Sequence, residues 1–222
     1  MKRVLAVLGF AGFCATALLT QPATTLLAQQ HGADMDKMMA GGTLPAGWSV
    51  RLDSGGTKPE GVTVTPMGGG IHFKTGPAGV YYRAVDTKSG SYEVHASFNQ
   101  VEPAEHPEAY GLMVGGSNLA SATQKYTYFL VRQDGMFMIS RRNGEKVTLL
   151  VPWTANASVK KTDAKMKGTN MLSVVVAPDK TRFMVNGTEV NAQPSVSVDA
   201  AGIAGLRINH NLNVHVDGFG VK

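Results

Sequence analysis

The side chains with chemistry to offer fall in a few short stretches of the chain. In YEVHASF, Glu93 and His95 alternate, so both leave an extended backbone on the same side. A histidine beside a carboxylate can take and return a proton near neutral pH, which makes His95 a candidate base and Glu93 its partner; His72, in IHFK, is a second candidate base. The loop QVEPAEHPE carries Glu102, Glu105 and Glu108, hard oxygen donors whose motion the prolines limit, and a calcium ion is the cation they suit; a solvated connection has the same composition. Asn213 and His215 close the chain's polar set, with His210 and Asn211 in the turn before them, although turn chemistry alone also explains asparagines.

Other chemistries are excluded by what the sequence lacks. There is no Asp-rich loop of EF-hand spacing, no zinc motif of paired histidines, no Gly-x-Ser-x-Gly and no phosphate loop. The formal net charge of +5 includes Lys2 and Arg3 at the N-terminus, and no basic block with interleaved aromatics appears, so nucleic acid is not an expected partner. No cofactor is expected beyond calcium at the glutamate loop.

The elements that position these groups begin after a leader. Met1, Lys2 and Arg3 precede an apolar run from Val4 to Leu19, followed by small and polar residues up to Ala28. That order predicts a secretory signal over residues 1–28, and the run is short of the roughly 20 residues a membrane span needs. The expected location is outside the cytoplasm, secreted or periplasmic, with no stable membrane span once the signal is removed. Cleavage there leaves no cysteine, since Cys14 lies in the signal, so neither a disulfide nor a thiolate metal site is expected. Residues 29–43 lack periodicity and read as a flexible tail. A mature chain opening Gln29-Gln30-His31 could chelate Cu(II), with Met35, Met38 and Met39 as soft donors, but polar tails carry such residues by chance.

From residue 44 to 222 the pattern is one of short runs, alternating or rich in branched residues, separated by Gly, Pro, Asn and Asp. YTYFLVRQDGMFMISRR is the strongest of these, a hairpin signal in which Asp-Gly supplies the positive φ of the turn. With no amphipathic helix of useful length, the prediction is a single all-β domain, a two-sheet antiparallel sandwich. Alternation sends Tyr92, Val94, Ala96 and Phe98 inward and Glu93 and His95 outward. It likewise sends Ile71 and Phe73 inward with His72 outward, and Val80 and Tyr82 inward with Tyr81 and Arg83 outward. If consecutive strands pair, His72, Tyr81, Arg83, Glu93 and His95 share one polar face, with Arg83 opposite Glu93. Tyr126 and Tyr128 leave the opposite side of their strand from Phe129 and Val131, to line a groove or fill a loop-covered minor core, and Trp153 falls in a loop.

Several segments taken together, AYGLMVGG, YTYFLVRQDGMFMISRRNG, NMLSVVV, RFMVNGTEV, AGIAGLRI and NVHVDGFGV, resemble the concanavalin A-like jelly rolls. Laminin-G-like modules and the bacterial 3-keto-disaccharide hydrolase domain are the particular likeness, over about Trp48 to Val221. The resemblance implies an extracytoplasmic sandwich that handles carbohydrate, but it brings no catalytic residue. The two glutamates alternating around an aspartate in jelly-roll glucanases are missing, and Glu93 with His95 lacks the second acid such hydrolysis needs. The leading expectation is therefore a non-catalytic carbohydrate-binding sandwich. Its ring-stacking and hydrogen-bonding candidates are Tyr81, Arg83, Glu93, His95, Tyr126, Tyr128, Trp153, Asn213 and His215. The alternatives are a glycan-processing hydrolase or lyase that uses His72, Glu93 and His95, and a structural or protein-interaction module.

Overall fold

The computed structural model describes residues 42–164 and 167–222. The signal, the tail to residue 41 and its Gln29, His31 and methionine donors lie outside the described residues. Fourteen strands follow in order: β1 (Trp48–Leu52), β2 (Val62–Met67), β3 (Gly70–Thr75), β4 (Gly79–Lys88), β5 (Tyr92–Gln100), β6 (Ala109–Ser117) and β7 (Lys125–Arg132), then β8 (Met136–Asn143), β9 (Lys146–Ala155), β10 (Thr169–Val176), β11 (Lys180–Val185), β12 (Thr188–Pro194), β13 (Gly202–Ile208) and β14 (Asn213–Val221). One helical turn, α1 (Ser195–Val198), separates β12 from β13. Among the described residues no helix is long and apolar enough to cross a membrane.

The strands form two antiparallel seven-stranded sheets, sheet A in the order β1-β4-β13-β6-β7-β8-β9 and sheet B in the order β12-β11-β10-β5-β14-β3-β2. Aromatic contacts step across the interface between them. Phe129 of β7 meets Phe183 of β11 at 5.3 Å, Tyr110 of β6 stacks on Phe98 of β5 at 5.2 Å, and Tyr81 of β4 meets Phe73 of β3 at 4.8 Å. All six rings are at most 1 % exposed, and burying each large side chain contributes about 1.5–3 kcal/mol. The buried Asn170 amide is fully used: it donates to the Tyr110 hydroxyl and to the Lys160 carbonyl and accepts from the Lys160 N–H and the Asn186 amide, which ties the loop before β10 to the core.

Alternation holds where one strand face meets the core and the other meets water. In β5, Tyr92, Val94, Ala96 and Phe98 are buried while Glu93, His95 and Ser97 turn outward. In β14, Val214 and Val216 are buried, and the register shifts between Asp217 and Gly220, where Gly218 takes a φ of 60°. The Asn186-Gly187 turn between β11 and β12 has positive φ at both residues, 51° and 81°, as a type I′ turn requires. The β7–β8 connection is a three-residue loop in which Gly135 alone supplies the positive φ.

The expectation for β4 is corrected. This strand lies in sheet A, between β1 and β13, whereas β3 and β5 lie in sheet B on either side of β14. Tyr81 points inward and is fully buried against Phe73; Val80 and Tyr82 leave the other face and join Met113, Leu119 and Tyr126 in a second, smaller apolar cluster. Over Gly79–Tyr82 both faces of β4 are covered, so alternation there carried no information about which side is the core. Tyr81 and Arg83 therefore share no face with His72, Glu93 and His95.

The four sheet edges are β1 and β9 in sheet A and β2 and β12 in sheet B. Strands β2, β9 and β12 carry Pro66, Pro152 and Pro194, and β1 is five residues long. Proline is tolerated at such positions because an edge strand has one side with no ladder to complete.

Candidate functional site

Two polar faces flank the core. On the outer face of sheet B, the register places His72 directly opposite His215, and the two rings stack at 5.9 Å and 28°. His215 Nε2 lies 3.0 Å from the Asp217 carboxylate. Partial burial and the neighbouring His215 hold His72 below the usual histidine range, favouring its neutral form. Two strands away, His95 Nδ1 stands 4.0 Å from Glu93, beyond hydrogen-bond length, and Glu93 pairs with Lys222 at 3.3 Å rather than with Arg83. The proposed bases His72 and His95 therefore do not converge on one carboxylate.

The glutamate loop does not gather either. Glu102 accepts from the Asn213 amide at 2.9 Å, Glu108 is buried against His210 at 2.6 Å, and Glu105 is exposed. Among the described residues no three His, Cys, Asp or Glu side chains form a group able to hold a metal ion.

The outer face of sheet A is built differently. β7 and β8 pair without a register shift, and β9 pairs regularly with β8 from Lys146 to Leu149, so there side chains from the three strands form transverse rows. Tyr126 lies opposite Arg142, itself opposite Val147, and Tyr128 lies opposite Ser140, itself opposite Leu149. The Tyr126 and Tyr128 rings meet at 5.6 Å. Tyr126 is buried in the smaller apolar cluster under Leu119, and burial raises its hydroxyl's pKa; Tyr128 packs on that cluster and remains partly exposed. Of the two readings for this pair, the minor core takes Tyr126 and the open face takes Tyr128.

Trp153 belongs to β9, not to a loop. The sequence hides this strand because Pro152 interrupts it and its register shifts twice against β8. The Arg132 guanidinium lies 4.5 Å over the indole, and its Nε–H is shared between the two Asp134 carboxylate oxygens at 2.8 and 2.9 Å. Beside it on the same strand, Val147 and Leu149 are 49 % and 55 % exposed. The outer face of β7–β9 thus presents a clamped indole, a phenol and apolar side chains, bordered by guanidinium groups. Stacking on the apolar face of a sugar ring, with planar donors alongside, uses this composition.

Asp53, in the turn after β1, closes the other side of this face. Its carboxylate accepts two hydrogen bonds from Arg207 of β13, at 2.5 and 2.6 Å, with Arg142 3.7 Å away. Arg207 is buried, its guanidinium 5.9 Å from the Tyr128 ring. Burial pushes the Asp53 carboxyl upward, but Arg207 and Arg142 outweigh it and hold it below the usual carboxylate range; Asp53 in turn more than offsets the burial of Arg207, raising the arginine's pKa. The preceding Arg51 donates to the Gly55 and Ala120 carbonyls, fastening the loop around Asp53 to the loop that carries Leu119.

Sequence reasoning missed Asp53, Arg132, Arg142 and Arg207. Only Arg207 carried a local signal, as a charge alternating with Leu206 and Ile208, and its partner lies 154 residues away.

Arg83 lines a separate cleft of about 460 Å³ at the other end of the sheets, with Trp48, Phe219 and the Gly68–Gly70 turn. Its guanidinium lies 5.3 Å from both the Trp48 and Phe219 rings and is paired with Asp86 at 2.6 and 3.0 Å.

No protein-family model matches the chain, and no curated protein matches its sequence. Solved structures do match. A carbohydrate-binding module, CBM66, from Bacillus subtilis superposes with a TM-score of 0.59 at 11 % identity, over 79 % of this chain and 95 % of that one. A protein of unknown function with a galectin-like fold, also from Bacillus subtilis, gives 0.54 at 10 % identity, over 78 % and 88 %. An alginate lyase gives 0.51 at 10 % identity, over 79 % and 93 %. At such identities the likeness shows the fold, a jelly-roll β-sandwich of the concanavalin A-like kind.

Proposed function

We propose that the chain is an exported carbohydrate-binding β-sandwich that receives its ligand on the outer face of β7, β8 and β9, without turning it over. The observation that carries this reading is the clamped indole of Trp153. An aromatic fixed by a cation and its counter-ion, on the same sheet face as Tyr128 and Leu149, loses little side-chain freedom when a sugar ring stacks on it, so more of the contact energy appears as affinity. The fold neighbours named as a carbohydrate-binding module and an alginate lyase agree with a glycan ligand. Binding without turnover is supported by the state of Asp53, whose carboxyl Arg207 holds below the usual carboxylate range, so that it is ionised and has no proton to give a leaving group.

The test is a glycan array followed by calorimetry on the oligosaccharides retained. Trp153→Ala and Tyr128→Ala should each weaken binding by about tenfold or more, with melting temperature little changed for the half-buried indole. His72→Ala and His95→Ala, on the outer face of sheet B, should leave binding intact. Retention of no glycan would overturn the reading. Turnover of a 3-keto-disaccharide by the wild-type chain, lost in His72→Ala or His95→Ala, would replace it with the hydrolase reading.

A further inference from the structure

Where β7 begins and β8 ends the chain forms a second pocket, of about 290 Å³. Lys125, Arg141, Arg142 and Lys146 line it, and Asp199 is the acidic side chain among its lining residues. Arg142 is partly answered by Asp53 at 3.7 Å, and Arg141 donates to the Ser197 carbonyl at 3.4 Å, a neutral acceptor. Lys125 and Lys146 are exposed and have no ion-pair partner among the described residues. Four cations drawn around one pocket repel one another, and an anion seated among them relieves that repulsion while accepting charge-assisted hydrogen bonds.

The pocket is shaped by backbone as well as by charge. Gly115, at a φ of 68°, lies so close to Asp199 that a Cβ there would stand 1.9 Å from the Asp199 carbonyl oxygen. Asp199 itself takes a φ of 50°. This wall is the residue that follows α1, and the Ser197 and Val198 carbonyls of α1 accept from Arg141 and Thr127. Tyr126 and Arg142 line the pocket and also belong to the row that ends at Val147, whereas Lys125, Arg141 and Lys146 come from the neighbouring rows and leave the other side of the sheet, so a ligand on the outer face reaches the pocket by passing over the sheet's end at Arg142.

We propose that this pocket takes an oxyanion, a carboxylate or a sulfate ester carried by the glycan, so that the ligand is an acidic polysaccharide. The inference rests on the carbohydrate reading and adds the substrate class. Guanidinium groups suit planar two-oxygen acceptors, and the two lysines supply charge at the mouth.

The experiment measures binding of the full chain to polygalacturonate as the carboxylate source, dextran sulfate as the sulfate source and unmodified dextran as the neutral control, at low and physiological salt. An acidic polymer should bind at least about tenfold tighter than dextran, with affinity falling as salt rises. Lys125→Gln with Lys146→Gln should lower acidic binding about tenfold or more, and the charge-reversing Lys125→Glu with Lys146→Glu should abolish it. Both lysines are exposed, so melting temperature should stay unchanged. Lys180→Gln, on sheet B, removes a charge without touching the pocket and should leave binding as it was. The preferred polymer identifies the oxyanion. Equal binding of acidic and neutral polymers, or acidic binding unmoved by the double variant, overturns the inference while the carbohydrate reading stands. Binding of no glycan by any of these polymers or by the array overturns both.

Discussion

Asp53→Ala is expected to destabilise the fold by about 2–3 kcal/mol, and so to lower the melting temperature by about 4–12 °C. The reason is the guanidinium left behind. Arg207 is 9 % exposed in its side chain, and once the carboxylate is gone its buried charge has lost its acidic partner. Removing one partner of a fully buried pair costs about 3–5 kcal/mol; the lower figure here reflects the Asp53 side chain, 38 % exposed, beside which water can partly replace the lost oxygens. Arg207→Met combined with Asp53→Ala should recover most of the loss, because no buried charge then remains. If the single variant melts with the wild type, the pair is a surface contact and the site's rigidity has another source. The pH dependence has a definite sign. The Asp53 carboxyl is depressed in the folded chain, so its contribution is complete above the unfolded value of about 3.9 and is lost as pH falls from there through the folded value.

Phe129→Ala should cost more, about 3–5 kcal/mol. Phe129 is 1 % exposed and meets Phe183 of the facing sheet at 5.3 Å and Phe137 of its own sheet at 6.2 Å. Its removal opens a cavity between the sheets, beneath the strand whose other side carries Tyr128. Glycan affinity should therefore weaken along with the melting temperature in Phe129→Ala, whereas Trp153→Ala should weaken affinity alone. A thermal and chemical denaturation series separates the two: a loss below about 1 kcal/mol at Phe129 would mean that the core repacks across the gap.

The contrast between β5 and β4 shows what the residue pattern could reveal. In β5 every second residue faces water, and Glu93 and His95 are placed correctly by counting. In β4 the residues Val80, Tyr81 and Tyr82 are all buried, Tyr81 between the sheets and its neighbours beneath the loop that carries Leu119, so period two no longer separates core from surface. Strand order failed for a related reason. The chain passes from sheet B to sheet A and back between β3 and β5, as jelly-roll connections do, and short connections carry no mark of which sheet they lead to. Trp153 was hidden by Pro152, which ordinarily argues against a strand but sits here on an edge. The pairs Asp53 with Arg207 and Glu108 with His210 join residues more than a hundred positions apart, and nothing local announces either.

The prolines at the sheet margins reach beyond the strands that hold them. A main chain that tried to dock along β2, β9 or β12 would meet a missing donor at Pro66, Pro152 or Pro194, and along β1 it would find only five residues to match. Ribbon-like stacking of one copy on the next is thereby disfavoured, even when many copies crowd onto a single polymer strand. Whatever such a strand collects would be held by side chains alone, and its removal should release separate, still folded molecules.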